Sequence, residues 1–216
     1  MNNLYNNFTF TGSKSESIKK NHLNRNGNRN TNPNPNQNPI AKAKSIQQNI
    51  PKPKYIDKIK KTQNKNMEWG TVTWKLFHWL AANIDEEFYA KSHKVLHGII
   101  RNILYNLPCP TCRNHAIEFS KQYDIGRAKT KAQFIQYFYF FHNKVNTRKS
   151  YKIPDRSILE MYTKMNGVAV INDWVQKFKN NLGINMNDFM NKQNIENAKG
   201  LMLNFINNNK SKFANL

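Results

Sequence analysis

Apolar residues recur at spacings of three and four in two long segments that begin near residue 68. They occupy positions 69, 72, 76, 79, 80 and 84 in the first segment and 88, 95, 96, 99, 103, 104 and 107 in the second. This periodicity predicts two consecutive amphipathic helices. Pro108 ends the second one, because proline cannot continue a helix.

The same pattern predicts further helices along the chain. A third helix starts at Cys109 or Pro110, since proline is favoured in a first helical turn. Others are predicted at about Lys131 to Asn146, Arg156 to Met165 and 168–181, with a weak amphipathic piece at 194–206. Almost nothing in this region alternates as a strand does. The predicted fold class is therefore all-α, a four-helix bundle plus a short fifth helix.

The beginning of the chain has a different composition. Residues 1–66 include the tract NRNGNRNTNPNPNQNPI and contain 13 Lys and Arg against 2 Asp and Glu. Such a segment cannot bury enough apolar surface to offset its ordering entropy, so we predict a disordered tail. The predicted organisation is this tail, a helical domain at 67–165 and a helical or partly disordered extension at 166–216.

Charge and apolar runs limit the classes of partner. The formal net charge of +21 allows a basic helical nucleic-acid-binding module, with the tail as a contact for nucleic acid. The opening residues MNNLYNNFTF have neither the basic nor the apolar region of a signal peptide. No apolar run approaches the ~20 residues of a membrane-spanning helix. We expect a cytoplasmic protein without membrane attachment.

Both cysteines of the chain lie in the stretch LPCPTCRNH, at Cys109 and Cys112. Two cysteines cannot form the disulfide framework of a small secreted domain. Residues three apart in a helical turn share a face, so the pair can form a disulfide or bind a metal. A disulfide across so short a loop removes little denatured-state entropy, which favours a redox role over a structural one.

A redox role requires a stabilised thiolate. A helix N-terminus contributes about 0.3–1 kcal/mol, which is less than the ~1.4 kcal/mol of one pKa unit. We therefore expect Arg113 and His115 to add positive charge beside the pair. One alternative is a pair of buried thiols without a function. Another is a zinc site of Cys109, Cys112, His115 and one further histidine, although Cys112 and His115 are close together for a closed tetrahedral site.

Two further motifs place polar groups beside aromatic surface. They are Trp69-Gly70-x-x-x-Trp74-x-x-x-His78 and His142-Asn143-x-Val145-Asn146. In each motif, residues three or four apart share a helix face. The simpler interpretations are a tryptophan stripe in the core beside a hydrogen-bonded histidine, and capping of a helix end by asparagine. Together the motifs would also suit a planar heteroaromatic ligand with polar edges.

The order WGxxxWxxxH, CPTC and HNKVN resembles the Erv/ALR family of FAD-linked sulfhydryl oxidases, including members from large DNA viruses. The resemblance covers about residues 66–154. It implies a small helical bundle that holds FAD without a Rossmann domain, and the chain indeed contains no GxGxxG motif.

The resemblance also implies roles for individual residues. Cys112 would lie against the flavin, and Cys109 would exchange with incoming thiols. The positions that match FAD contacts are Trp69, Gly70, Trp74, His78, His115, His142, Asn143, Val145 and Asn146, with Arg148, Lys149 and Lys152 as candidates for the pyrophosphate and Trp174 for the adenine. No metal site is implied.

The implied activity is oxidation of protein thiols to disulfides, with electrons passing through the cysteine pair and FAD to oxygen and giving hydrogen peroxide. A cytoplasmic virus would use such an enzyme in the host cytoplasm or the virion, where thiols otherwise stay reduced. Two departures from the family matter. The stretch TRKSYKIP replaces the Leu-Gly-Lys-Pro of many members, and no second dithiol exists in 216 residues. A shuttle disulfide is thus excluded, and a homodimer would form by non-covalent packing.

Overall fold

The computed structural model describes residues 68–179 and 186–216, and both ranges are predominantly helical. The helices are α1 Glu68–Asn83, α2 Glu86–Tyr105, α3 Pro110–Gln122, α4 Lys131–Arg148, α5 Glu160–Thr163, α6 Gly167–Lys177 and α7 Met186–Asn208, with 3-10 turns at Ile125–Arg127, Arg156–Leu159 and Lys210–Lys212. These ranges contain no strand, only one isolated bridge between Ile84 and Phe213. The predicted all-α class is confirmed, and the predicted tail at 1–66 lies outside the described residues.

Side-chain caps explain where several helices begin. Asp85 caps α2 by accepting a hydrogen bond from the backbone N–H of Phe88. Thr130 and Gln133 form a reciprocal capping box at the start of α4. Helix α3 begins at Pro110 as predicted, with Cys109 as its N-cap. These local signals fix the ends of the helices that carry the sequence motifs.

Helix α4 supplies four aromatic residues to the core of the bundle. Phe134, Tyr137, Phe138 and Phe141 are all buried. Phe138 stacks on Phe77 of α1 at 4.8 Å, and Phe134 stacks on Tyr89 of α2 at the same distance. Because these rings are buried, they are not available to stack on exposed bases. These four residues therefore serve the core, whereas Tyr139 and Phe140 of the same helix are only partly buried.

The C-terminal extension belongs to the same hydrophobic core. Helix α6 packs against α1, and α7 packs against α2. Trp174 and Phe178 are fully buried, and Phe205 of α7 contacts Phe88 of α2. The last residues join the end of α1, where the Ala214 N–H donates to the Asn83 carbonyl at 2.8 Å. The described residues of this extension, 166–179 and 186–216, thus close one side of the bundle.

None of the helices within 68–179 and 186–216 is long and apolar enough to cross a bilayer.

Candidate functional site

A cavity of about 430 Å³ brings the three sequence motifs together. Its wall includes Trp69, Gly70, Thr73, Trp74 and Phe77 of α1, Leu104 and Leu107 near the end of α2, Cys112, His115, Ala116 and Phe119 of α3, Phe141, His142, Val145 and Asn146 of α4, and Tyr151, Met161 and Tyr162 beyond α4. The volume is within the roughly 300–1,000 Å³ typical of small-molecule sites.

Flat rings form much of this wall. Trp74 and His142 are stacked, with ring centroids 4.2 Å apart and planes 7° from parallel. Phe141 meets Trp74 edge-on at 5.1 Å and stacks on Phe119 of α3 at 3.9 Å. The cavity therefore offers extended planar surface of the kind that accommodates a ring system.

His142, which lines the cavity, forms a pair with His78, which does not. His78 Nε2 and His142 Nδ1 are 3.1 Å apart, and His78 stacks on Tyr162 at 4.6 Å. Burial, then the charge of His142, lowers the pKa of His78 to about 3. Burial, then Lys149, lowers the pKa of His142 to about 4. Both rings are neutral at pH 7, so a single hydrogen is shared between His78 Nε2 and His142 Nδ1.

The cysteine pair occupies the first turn of α3. Cys109 Sγ accepts a hydrogen bond from the Cys112 N–H at 3.2 Å, and both side chains are partly buried. Cys112 lines the cavity, whereas Cys109 is not among the lining residues. The two sulfurs are thus adjacent in the fold but differ in their access to the cavity.

Opposing effects act on the Cys112 thiol. Burial, followed by the hydrogen bond and charge of Cys109, raises the pKa of Cys112 to about 11, while Lys149 and Arg148 lower it. The sequence suggested Arg113 and His115 as the stabilising charges. The structure instead directs the Arg113 guanidinium to Asn191 Oδ1 of α7, at 3.3 Å. The cations that act on Cys112 come from the end of α4.

Of the two asparagines of the HNxVN motif, only the second lines the cavity. Asn146 is buried and lines the cavity. Its side-chain nitrogen donates to Asn143 Oδ1 at 3.4 Å. Asn143 is not a lining residue, and its backbone carbonyl accepts from the Thr147 hydroxyl at 2.9 Å. Asn143 therefore supports the turn that carries Asn146.

Most of the charged residues that line the cavity are basic. Its charged lining residues are Lys75, Lys144, Arg148 and Lys149 against the single acid Glu68. Lys149 Nζ lies 5.8 Å from the centre of the Tyr151 ring. The sequence from 125 to 154 contains no Asp or Glu, so no acid in that stretch offsets these cations. An anionic ligand group would be favoured here.

Most of the residues predicted for the site line the cavity. These are Trp69, Gly70, Trp74, Cys112, His115, His142, Val145, Asn146, Arg148 and Lys149. His78, Cys109, Asn143 and Lys152 do not line it. His78, Cys109 and Asn143 each contact a residue that does. Trp174 is fully buried, stacks on Phe178 at 5.0 Å and is also not a lining residue.

Several lining residues were not predicted from the sequence. Phe119 follows Cys112, His115 and Ala116 on one face of α3, and this spacing could have identified it. Tyr162 comes from a distant short helix and has no local signal. The zinc alternative finds no support, because no group of three or more His, Cys, Asp or Glu in the described ranges could hold a metal ion.

Comparison with known proteins shows similarity to one family. Residues 71–165 match the model of the Erv1 / Alr family. The chain is 31% identical over 81 residues to a putative FAD-linked sulfhydryl oxidase of Invertebrate iridescent virus 3, covering 37% of this chain and 55% of that protein. It is 30% identical over 107 residues to the FAD-linked sulfhydryl oxidase ERV2 of Saccharomyces cerevisiae, covering 49% and 51%.

Another viral protein gives a similar result. The FAD-linked sulfhydryl oxidase of African swine fever virus, isolate Warthog/Namibia/Wart80/1980, is 29% identical over 89 residues, which cover 40% of this chain and 72% of that protein. The chain thus spans about half the length of the iridescent virus and yeast relatives. No solved structure gives a significant match.

The matched segment coincides with the site. Residues 71–165 contain both cysteines, the His78–His142 pair and all of α3 and α4. The motifs, the cavity and the family match therefore agree, and residues 71–165 of this chain are similar to the Erv1 / Alr family.

Proposed function

We propose that this chain is an FAD-linked sulfhydryl oxidase that forms disulfides in protein thiols. The observation that carries the proposal is the asymmetry of the cysteine pair: Cys112 lies in the wall of an aromatic cavity, and Cys109 lies outside it. Such a pair can accept thiols on one side and face a redox cofactor on the other. The names of the relatives support the same activity.

The residues present fit FAD. Its planar ring system needs flat apolar surface, which Trp74, Phe119 and Phe141 provide. Its polar ring edge needs donors and acceptors, which Asn146 and His142 offer, and its diphosphate needs the basic rim. At Gly70, an added Cβ would meet no protein atom within 4 Å, although the residue lines the cavity. Space for a ligand beside this backbone is consistent with the expected close approach.

The proposed thiol chemistry begins at Cys109. A substrate thiolate attacks Cys109 Sγ in the oxidised pair, which breaks the Cys109–Cys112 bond and releases Cys112 as a thiolate. A second substrate thiolate attacks the substrate sulfur, releases Cys109 and leaves with the new disulfide. The pair then holds two electrons. The chemistry that FAD supplies is two-electron acceptance from the reduced pair and transfer to oxygen, which yields hydrogen peroxide.

Arg148 and Lys149 have a defined role in this scheme. Burial makes the Cys112 thiolate unfavourable, and these two cations are the groups that oppose the effect. Because thiol–disulfide exchange is faster when the leaving thiol has a lower pKa, their charge would accelerate release of Cys112. The same cations would also neutralise the cofactor diphosphate.

The partners and location follow from the same proposal. Protein thiols are the substrates, and oxygen is the acceptor. A homodimer would be held by packing, because both cysteines belong to the redox pair. The viral relatives favour action in the cytoplasm of an infected cell or in the virion, where an encoded oxidase would supply disulfides.

A visible spectrum of the desalted protein, followed by dithiothreitol in air, tests the function. We expect a flavin spectrum that bleaches and recovers while hydrogen peroxide accumulates. Cys112→Ser should retain FAD and lose turnover. A colourless protein that also takes up no added FAD would refute the proposal.

A further inference from the structure

The turn after α4 places an aromatic side chain at the cavity. Lys149 caps the helix, and Ser150 follows in the left-handed region with φ 56°. The Ser150 N–H donates to the Thr147 carbonyl at 3.1 Å, and the Tyr151 N–H donates to the Asn146 carbonyl at 2.8 Å. This is the Schellman arrangement, which reverses the chain sharply. Tyr151 is thereby fixed directly beside Asn146, a cavity residue.

Tyr151 differs from the other rings of the cavity. It lines the cavity, yet 57% of its surface is exposed. Within the described ranges, the other lining aromatic residues, Trp69, Trp74, Phe77, Phe119, Phe141 and Tyr162, are buried or partly buried. Core packing therefore does not account for an aromatic residue at this position. An exposed ring at a cavity mouth offers a face to a flat ligand.

Positive charge is concentrated next to this ring. Arg148 and Lys149 immediately precede the turn and also line the cavity. Lys149 Nζ lies 5.8 Å from the centre of the Tyr151 ring. The rim thus combines an accessible ring with cations. This combination suits a ligand in which a planar base is linked to a phosphate group.

The expected adenine contact is not available. The resemblance suggested Trp174, but Trp174 has no exposed surface, stacks on Phe178 and does not line the cavity. Tyr151 also lies in the stretch TRKSYKIP, where this chain departs from the Leu-Gly-Lys-Pro of many family members. The departure itself therefore provides a ring where the ligand would leave the cavity.

We infer that Tyr151 is the stacking platform for the adenine of FAD, with Arg148 and Lys149 beside the diphosphate. This inference rests on the proposed function and adds to it a preference for FAD over FMN. The inner cavity would hold the flavin ring of either FMN or FAD. Only FAD carries an adenine that reaches the Tyr151 ring, so this residue would make the site selective for the dinucleotide.

The test compares FAD and FMN binding by the full-length chain after removal of flavin. Dissociation constants would be measured for the wild type, Tyr151→Ala, Tyr151→Phe and Tyr105→Ala. Tyr105 is a matched control, because it is 43% exposed and does not line the cavity. Far-UV circular dichroism checks that each flavin-free protein stays helical. For any that does not, the rate of FAD release from the purified holoprotein is compared instead.

We expect Tyr151→Ala to weaken FAD binding about tenfold, the scale of one base–aromatic stack, and to change FMN binding less than about twofold. Tyr151→Phe should keep the wild-type affinity, and Tyr105→Ala should change neither ligand. Equal weakening of both flavins, or no change in FAD affinity or release rate, would overturn the role of Tyr151 while leaving the oxidase proposal intact. A wild type that binds neither flavin would overturn both.

Discussion

Trp74 and Trp79 lie five residues apart on α1 and have opposite surroundings. Trp74 is partly buried, stacks on His142 at 4.2 Å and borders a cavity. Trp79 has no exposed surface and stacks on Phe213 at 5.7 Å. A Cβ on Gly167 would lie 2.2 Å from its ring. One tryptophan thus leaves space for a ligand, and the other is sealed by the C-terminal extension.

The difference lies in what covers each ring. The side of α1 at Trp79 is closed by α6 and the last residues of the chain, and even the Trp79 indole N–H is buried without a hydrogen-bond partner. Leaving such a group unpaired costs about 1–3 kcal/mol, which the close packing must offset. The Trp74 side carries the polar groups, cations and open volume. Function is therefore expected where packing is incomplete, and stability where it is complete.

The largest expected effect comes from replacing the two tryptophans, because one substitution should mainly lower stability and the other should mainly abolish FAD binding. Trp79→Ala should lower the free energy of unfolding by about 4 kcal/mol, because it leaves a large cavity in a sealed core. Trp74→Ala should cost less than half of that, since its ring already borders open space, but it should abolish tight FAD binding. Urea unfolding and the FAD content of the purified proteins measure the two effects. Equal losses of stability in both variants would contradict the comparison.

A substitution at Gly167 tests how closely the region around Trp79 is packed. In Gly167→Ala the new methyl group would overlap the Trp79 ring and approach the Asn215 carbonyl at 3.0 Å. Overpacking of this kind costs about 1–3 kcal/mol, and we expect the upper end because two of the contacts are too close. Flavin affinity of the folded protein should not change. Thermal and urea unfolding report the loss.

Gly98 provides the matched control for that substitution. It lies inside α2, and an added Cβ would meet no atom within 4 Å. Gly98→Ala should therefore raise stability by about 0.5–1 kcal/mol through helix propensity alone. If Gly98→Ala and Gly167→Ala changed stability in the same direction, close packing at Trp79 would not be the cause.

Acid should destabilise the fold through its buried histidines. Burial lowers the pKa of His78, beside the cavity, to about 3, and that of His97, in α2, to about 4. The unfolded chain takes up these protons near pH 6.5 and the folded chain does not. Stability is therefore full above pH 6.5 and falls as pH drops towards 4, with a slope of up to about 1.4 kcal/mol per pH unit for each histidine.

Urea unfolding at several pH values measures this slope. His97→Gln should reduce the slope of stability against pH, because glutamine does not titrate. Glutamine can still donate a hydrogen bond to the Tyr89 hydroxyl, which lies 2.8 Å from His97 Nε2. The wild type and this variant should differ most between pH 6 and pH 4.5. A stability that stays constant down to pH 4.5 would show that the buried histidines do not resist protonation.

Local features were predictable from the sequence. The start of α3 at Pro110 and the shared face of Cys112 and His115 follow from periodicity and helix capping. Features that depend on distant segments were not. The sequence pointed to Arg113 as the cation for the thiol, but α7 binds that side chain through Asn191. Neither the sealing of Trp79 by Gly167 nor the burial of Trp174 has any local signal.

The smallest predicted effect compares two residues with positive φ, one on each side. Ser150 has φ 56° next to the cavity, and Asn215 has φ 58° at the C-terminus. A side chain in this region is strained and glycine is not, so Ser150→Gly should stabilise the protein by about 0.5–1 kcal/mol. Because the same turn is kept, Tyr151 should stay in place and FAD affinity should not fall.

Asn215→Gly should destabilise the protein, although Asn215 and Ser150 have similar backbone conformations. The Asn215 side-chain nitrogen donates to the Thr163 carbonyl at 2.7 Å and to Asn83 Oδ1 at 3.2 Å. Asn215 is exposed, but its partner Asn83 is buried. Losing both bonds, at about 0.5–1.5 kcal/mol each, costs more than the strain that glycine relieves. Thermal unfolding of the two variants decides the point. If both glycines stabilised the protein, the Asn215 side chain would contribute little to the sealed side, and its conformation alone would matter.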